Sequence, residues 1–99
     1  MLNITKKKEG SNLEFALEGR LDTTTAPQFD EQINAEIEGV TDLTMDFAAL
    51  EYVSSAGLRV LLSAQKKMNK QGHMVIKNVS EEINEIFNVT GFSDILVIE

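Results

Sequence analysis

Two adjacent serines, Ser54 and Ser55, stand where an apolar strand pattern changes into an amphipathic helix pattern. The first N–H groups of a helix have no intrahelical partner, so a serine hydroxyl placed there can cap the helix. The same N–H groups and the helix dipole also favour a phosphate at this position. The pair can therefore carry a phosphorylation switch. The plain alternative is a helix cap that stabilises the fold by roughly 1 kcal/mol.

The residues around the serine pair predict the elements that position it. Alternation of apolar with polar or small residues predicts a strand near 42–48, and apolar residues at helical spacing predict a helix near 55–70. Gly57, in the first turn of this helix, allows a neighbouring backbone to approach closely. Leu58 is expected in the core because of its spacing.

The rest of the chain predicts six further elements. Alternating residues in 2–4 and 13–17 predict an antiparallel hairpin, and residues 74–76 and 95–98 predict two further strands. A first helix runs from Ala26 towards Gly39, with Thr25 and Gln28 at the spacing of a capping box. A third helix begins after Ser80 and ends at Gly91.

The predicted order β-β-α-β-α-β-α-β indicates a single α/β domain over residues 1–99. We expect a mixed β-sheet with its helices packed mainly on one side and right-handed connections between parallel strands.

Composition excludes several classes of function. The net charge of −7 and a pI of about 4.6 disfavour binding to nucleic acid or to an anionic membrane surface. The absence of cysteine excludes disulfides, thiolate metal sites and thiol catalysis. The segment MLNITKKKEG lacks the long apolar run of a signal peptide or a membrane span, so a cytoplasmic protein without membrane insertion is expected.

No catalytic, metal or cofactor site is predicted. His73 is the only histidine, and a lone imidazole makes no metal cluster. Neither serine lies in a nucleophile elbow, and the lysine-bearing phosphate loop of nucleotide hydrolases is absent. We therefore expect a protein that is not an enzyme.

Two motifs resemble the STAS domain of bacterial anti-sigma factor antagonists. The run Ser54-Ser55-Ala56-Gly57-Leu58-Arg59-Val60 is similar to the family's Asp-Ser-Ser/Ala/Thr-Gly-Leu signature, and Gly19-Arg20-Leu21-Asp22 is similar to its Gly-x-Leu/Ile-Asp motif. The family's phosphorylated serine lies two positions before the glycine. This resemblance implies Ser55 as the acceptor and Ser54 as second choice, in the place where the family usually has Asp. Ser54, the residue before the helix, is the expected cap.

The resemblance also implies a function. Unphosphorylated antagonists bind an anti-sigma factor that is also a serine kinase, which frees a sigma factor for transcription. The kinase phosphorylates the antagonist, and a PP2C-type phosphatase restores it.

The resemblance further implies that the following residues bind the partner: Asp22, Thr23, Thr24, Ser54, Ser55, Gly57 and Arg59. Asp22 can equally be a turn residue that binds its own backbone. Arg59 can contact a phosphate on Ser55 or a partner carboxylate, or be a solvated surface residue.

Two other functions stay open from the sequence. The chain can be the STAS subunit of a lipid-transport ATPase, in which Ser55 is only a cap. It can also be an orphan signalling module that binds a small ligand, such as a nucleotide, at the loops.

Overall fold

A computed structural model describes residues 2–99; Met1, the first residue of the predicted domain, lies outside them. The strands are β1 (Leu2–Glu9), β2 (Asn12–Leu21), β3 (Asp42–Val53) and β4 (His73–Lys77). The helices are α1 (Ala26–Glu36), α2 (Ser55–Gln71) and α3 (Glu81–Thr90), followed by a short 3-10 helix, Phe92–Asp94. This order confirms the α/β fold expected from the sequence. No helix among residues 2–99 has the length and apolar character needed to cross a membrane.

The sheet brings the beginnings of the three helices to one edge. The strands lie in the order β1-β2-β3-β4; β1 is antiparallel to β2, whereas β2, β3 and β4 are parallel. Each helix follows one of the parallel strands. Because parallel strands end at the same edge of a sheet, the loops before α1, α2 and α3 lie together there. The serine pair is in the middle loop.

The core lies on one face of the sheet, as expected. Phe15, Met45 and Ile76 point into it and are fully buried, while the residues that alternate with them are partly or fully exposed. Buried residues of all three helices, including Phe29 of α1 and Phe87 of α3, belong to the same apolar cluster. The helices therefore cover one face and leave the other open to solvent.

Two of the predicted strands differ most from the structure. β3 extends beyond the predicted end to Val53. In this part of the strand the alternating pattern is lost, because β-bulges shift the register against β2 and leave Phe47, Leu50 and Val53 buried at intervals of three residues. The predicted strand 95–98 was wrong. It is reduced to one parallel bridge between Ile76 and Ile98, with backbone hydrogen bonds from the Ile76 N–H to the Val97 carbonyl (2.9 Å) and from the Glu99 N–H to the Ile76 carbonyl (2.9 Å).

Two glutamines of α2 differ in how well their amides are paired. The Gln71 Nε2 group donates to the carbonyl oxygens of Ile37 (2.8 Å) and Val40 (2.6 Å), which ties α2 to the chain that leaves α1. Gln65 is buried, and its Nε2 group donates to Asn69 Oδ1 at 2.8 Å. The Oε1 atom of Gln65, however, has no hydrogen-bond partner within residues 2–99.

The same substitution should therefore have opposite effects at the two glutamines. We expect Gln65→Met to leave the free energy of unfolding unchanged or to raise it by about 1 kcal/mol, because it removes a buried acceptor without a partner. Gln71→Met should lower it by about 1–2 kcal/mol, because two carbonyls lose their donor. Urea unfolding of both variants measures the difference; a Gln65→Met protein less stable than Gln71→Met would contradict the assignment.

Candidate interaction site at the ends of the parallel strands

Ser54 is the cap of α2, as the sequence predicted. Its backbone is extended (φ −89°, ψ 176°), and its Oγ atom accepts a hydrogen bond from the Gly57 N–H at 3.3 Å. Its own backbone N–H donates to the Leu21 carbonyl oxygen at 2.8 Å. The cap of α2 is thus fastened to the end of β2.

Gly57 is buried and packs directly against Leu21. A Cβ atom at position 57 would lie 2.8 Å from Leu21 Cγ and 2.9 Å from the Leu21 carbonyl oxygen, so only glycine fits without movement. Leu58, the next residue, is buried in the core as predicted. Gly57 therefore positions the first turn of α2 and does not itself present a surface to a partner.

Ser55 is the first residue of α2, and it is exposed. Its hydroxyl makes no hydrogen bond within residues 2–99, whereas the Ser54 hydroxyl beside it is engaged. Arg59 lies four residues further along the same helix, is also exposed and forms no ion pair within the described chain. Residues four apart share a helix face, with Cβ atoms about 5–6 Å apart. A phosphate on Ser55 would have this cation as a neighbour.

Asp22 organises the loop between β2 and α1. Its Oδ1 atom accepts hydrogen bonds from the backbone N–H groups of Thr24 (3.0 Å) and Thr25 (3.1 Å) and from the Thr24 hydroxyl (2.9 Å). The Thr24 hydroxyl, followed by the two N–H groups, lowers the pKa of Asp22, although partial burial opposes this. The turn role considered for Asp22 is confirmed, and its carboxylate is ionised at neutral pH.

The capping box predicted for Thr25 and Gln28 was wrong. The Thr25 side chain makes no cap hydrogen bond; its hydroxyl donates to the Arg20 carbonyl oxygen and accepts from the Asp22 N–H, both at 2.8 Å. Asp22 accepts the hydrogen bonds ahead of α1 instead. Its carboxylate binds the N–H groups of Thr24 and Thr25, and its carbonyl oxygen accepts a hydrogen bond from the Ala26 N–H at 2.8 Å. The hydrogen-bonded turn Asp22–Thr25 therefore leads directly into α1, which begins at Ala26.

Strand register places the two loops side by side. Leu21 pairs with Val53, so Asp22 and Ser54 leave neighbouring strands at the same level. Thr23 and Thr24 are exposed on the Asp22 loop. The structure therefore brings together the residues that the sequence selected from two distant motifs. Their roles in phosphorylation and partner binding remain predictions.

Sequence reasoning missed one neighbouring pair, Arg20 and Tyr52. They are partners in the β2–β3 register, and the Arg20 guanidinium carbon lies 4.6 Å from the centre of the Tyr52 ring. The Arg20 Nε atom is 3.9 Å from Asp22 Oδ2. The available signal was the placement of Arg20 within the Gly19–Asp22 motif and of the only tyrosine just before the serine pair.

The described residues contain no group of three His, Asp or Glu side chains arranged to hold a metal ion. The chemistry on this surface is instead that of hydroxyls, one carboxylate and two guanidinium groups, which suits recognition and modification.

Comparison with known proteins gives one consistent result. The sequence profile of the STAS domain matches residues 3–99. A protein of Bordetella bronchiseptica named as a candidate anti-sigma factor antagonist, BtrV, is 30% identical over 96 residues, which cover 95% of this chain and 83% of that protein. The anti-sigma-B factor antagonist of Bacillus subtilis is 29% identical over 96 residues, covering 96% of this chain and 88% of that protein.

Solved structures agree on the fold. An anti-sigma factor antagonist from Mycobacterium paratuberculosis superposes with a TM-score of 0.88 at 19% identity, over 99% of this chain and 85% of its own. The Bacillus cell fate determinant SpoIIAA in its phosphorylated form superposes with a TM-score of 0.77 at 19% identity, over 98% of this chain and 91% of its own.

Because only the Ser54 hydroxyl of the two is hydrogen-bonded within residues 2–99, we expect the two serines to contribute differently to stability. Ser54→Ala should lower the free energy of unfolding by roughly 1 kcal/mol, because it removes the cap of α2. Ser55→Ala should leave it unchanged within about 0.5 kcal/mol, since an exposed hydroxyl without a partner is lost. Chemical denaturation of the two variants is the measurement. Equal losses would mean that Ser55 shares the capping role.

Proposed function

The chain belongs to the STAS domain family, and we propose that it acts as an anti-sigma factor antagonist controlled by phosphorylation of Ser55. With Ser55 unmodified, the protein binds an anti-sigma factor that has serine kinase activity and so frees a sigma factor. Phosphorylation ends this binding, and a PP2C-type phosphatase restores it. The names of the relatives favour this function over a transporter subunit or an orphan ligand-binding module.

One observation carries the proposal: Ser55 offers a free, exposed hydroxyl at the first position of α2, next to the Asp22 loop. A kinase can reach this hydroxyl without disturbing the cap, because Ser54 performs the capping. The N–H groups at the start of the helix favour the added negative charge. Phosphorylation is therefore compatible with an intact fold.

The switch follows from placing that charge within a contact surface. A phosphate adds a charge of about −1.5 to −2. A partner surface shaped for a hydroxyl would have to desolvate this group without supplying a cation for it. A loss of about 2.8 kcal/mol is enough to weaken binding a hundredfold.

The proposed contact surface combines the two loops with the start of α2. Exposed Thr23, Thr24, Ser55 and Arg59 contribute directly, with the half-buried Asp22 and Ser54 between them. Gly57 contributes through the position it gives to the helix. We place the protein in the cytoplasm, where sigma factors act on transcription.

The proposal assigns no catalysis to this chain, so purified protein should hydrolyse neither ATP nor GTP. A phosphate-release assay measures this, with the Asp22→Asn and Ser55→Ala variants as controls. Hydrolysis that persists through purification and is lost in either variant would contradict a purely binding role.

Incubation with the candidate kinase and ATP tests the acceptor directly, with the phosphate located by mass spectrometry. We expect the phosphate on Ser55, no labelling of Ser55→Ala, and normal labelling of Ser54→Ala, which serves as the matched control. Ser55→Ala should also bind the anti-sigma factor without release by ATP. Phosphate on Ser54, with Ser55→Ala labelled normally, would show that the assigned register is wrong.

Ser55→Asp separates the effect of charge on folding from its effect on binding. An acid at the first position of α2 is electrostatically favourable, so the thermal midpoint should be unchanged or slightly higher. Binding to the anti-sigma factor, measured by calorimetry, should be lost. A Ser55→Asp protein that is folded and still binds like the wild type would contradict the switch.

A further inference from the structure

Arg20 and Tyr52 form a preorganised pair on the open face of the sheet, at the ends of β2 and β3. Each precedes a buried residue, Leu21 or Val53, and so points away from the helices. The side chain of Arg20 is 54% exposed, yet its guanidinium carbon lies 4.6 Å from the Tyr52 ring centre. A cation over an aromatic face is held by the ring's electrostatic quadrupole.

The backbone beneath Arg20 is also fixed. Its carbonyl oxygen accepts the Thr25 hydroxyl at 2.8 Å, and that hydroxyl accepts the Asp22 N–H. The turn that Asp22 organises therefore fixes the backbone end of Arg20, and the Tyr52 ring contacts its guanidinium end. The contact with the ring lowers the side-chain entropy that is lost when the guanidinium binds a ligand.

The hydrogen-bonding capacity of this guanidinium is unused within residues 2–99. An arginine has five N–H donors. Its only ion pair within the described residues is with Asp22, and the distance of 3.9 Å from Nε to Oδ2 is longer than a hydrogen bond. The other oxygen of Asp22 already accepts three hydrogen bonds from Thr24 and Thr25. Arg20 is thus oriented while its donors stay free.

The pair is continuous with the proposed contact surface, because Arg20 lies two residues before Asp22 and Tyr52 two residues before Ser54. Arginine and tyrosine are enriched among the residues that dominate protein interfaces. The planar fork of a guanidinium matches a carboxylate in a bidentate arrangement. A nucleic-acid phosphate is disfavoured by the net charge of −7.

We propose that Arg20, held in place by Tyr52, receives a carboxylate side chain of the anti-sigma factor and so helps to select the partner. This inference rests on the proposed function. It assigns an electrostatic requirement to the partner: an acidic residue must face the end of β2 when the partner covers Ser55.

A charge series at position 20 tests the sign of the facing group. Binding of the unphosphorylated protein to the kinase anti-sigma factor of the same genome is measured by calorimetry without ATP. Arg20→Gln should weaken binding about tenfold to a hundredfold, because a charge-assisted hydrogen bond is lost. Arg20→Glu should weaken it further through repulsion, and Arg20→Lys should lie between Gln and the wild type.

Two controls separate this contact from general effects. Lys66→Glu makes the same charge change on an exposed residue of α2 that has no ion pair in the described chain, and binding should stay within about threefold of the wild type. Tyr52→Phe should keep wild-type binding and Tyr52→Leu should weaken it, since the ring and not the hydroxyl holds Arg20. Circular dichroism confirms that each variant is folded.

The results distinguish the sign of the partner group from a position of Arg20 outside the interface. Tighter binding by Arg20→Glu than by Arg20→Gln would mean that the partner presents a cation, and wild-type binding by all three variants would place Arg20 outside the interface. Both results overturn the inference and leave the proposed function standing. A wild-type protein that does not bind the kinase at all would overturn the proposed function, and the inference with it.

Discussion

The site depends on the close approach of α2 to the end of β2. Gly57 leaves no room for a Cβ atom against Leu21, and the Ser54 N–H binds the Leu21 carbonyl oxygen at 2.8 Å. These two contacts fix where the helix begins and therefore which serine caps it. They also set the Asp22 loop beside the helix, because Asp22 follows Leu21 directly. A larger residue at position 57 would move all of these groups together.

The different roles of Ser54 and Ser55 follow from the position at which α2 begins. Ser54 completes the fold, and Ser55 is left with a hydroxyl that the fold does not need. A modification of Ser55 can then change what binds without changing what is folded. The parallel arrangement of β2 and β3 places the Asp22 loop beside the serine pair, since both loops leave the sheet at the same edge. The proposed phosphorylation site thus lies where a modification changes the stability of the fold little.

Much of this arrangement could be read from the sequence. The register of Gly57 and Leu58 identified Ser54 as the cap, and period-2 and helical patterns identified most elements. The capping box at Thr25 was predicted wrongly because the short polar run before α1 contains several side-chain acceptors. The local pattern does not show that Asp22 is the one that binds the free backbone N–H groups. The end of β3 was missed because bulges change the burial interval from two residues to three. The sequence places Arg20 and Tyr52 in or beside the two motifs, but their pairing depends on that same irregular register, which no local pattern reveals.

We propose that a phosphate on Ser55 alone abolishes binding to the anti-sigma factor. The most direct measurement is calorimetry with phosphoserine incorporated at position 55 during synthesis, which needs no kinase. Phosphoserine at the exposed Ser11, in the β1–β2 hairpin turn at the other end of β2, is the matched control. We expect phosphoserine at position 55 to weaken binding at least about a hundredfold and phosphoserine at position 11 to leave it at the wild-type level. Equal binding by the unmodified protein and the phosphoserine 55 protein would contradict it.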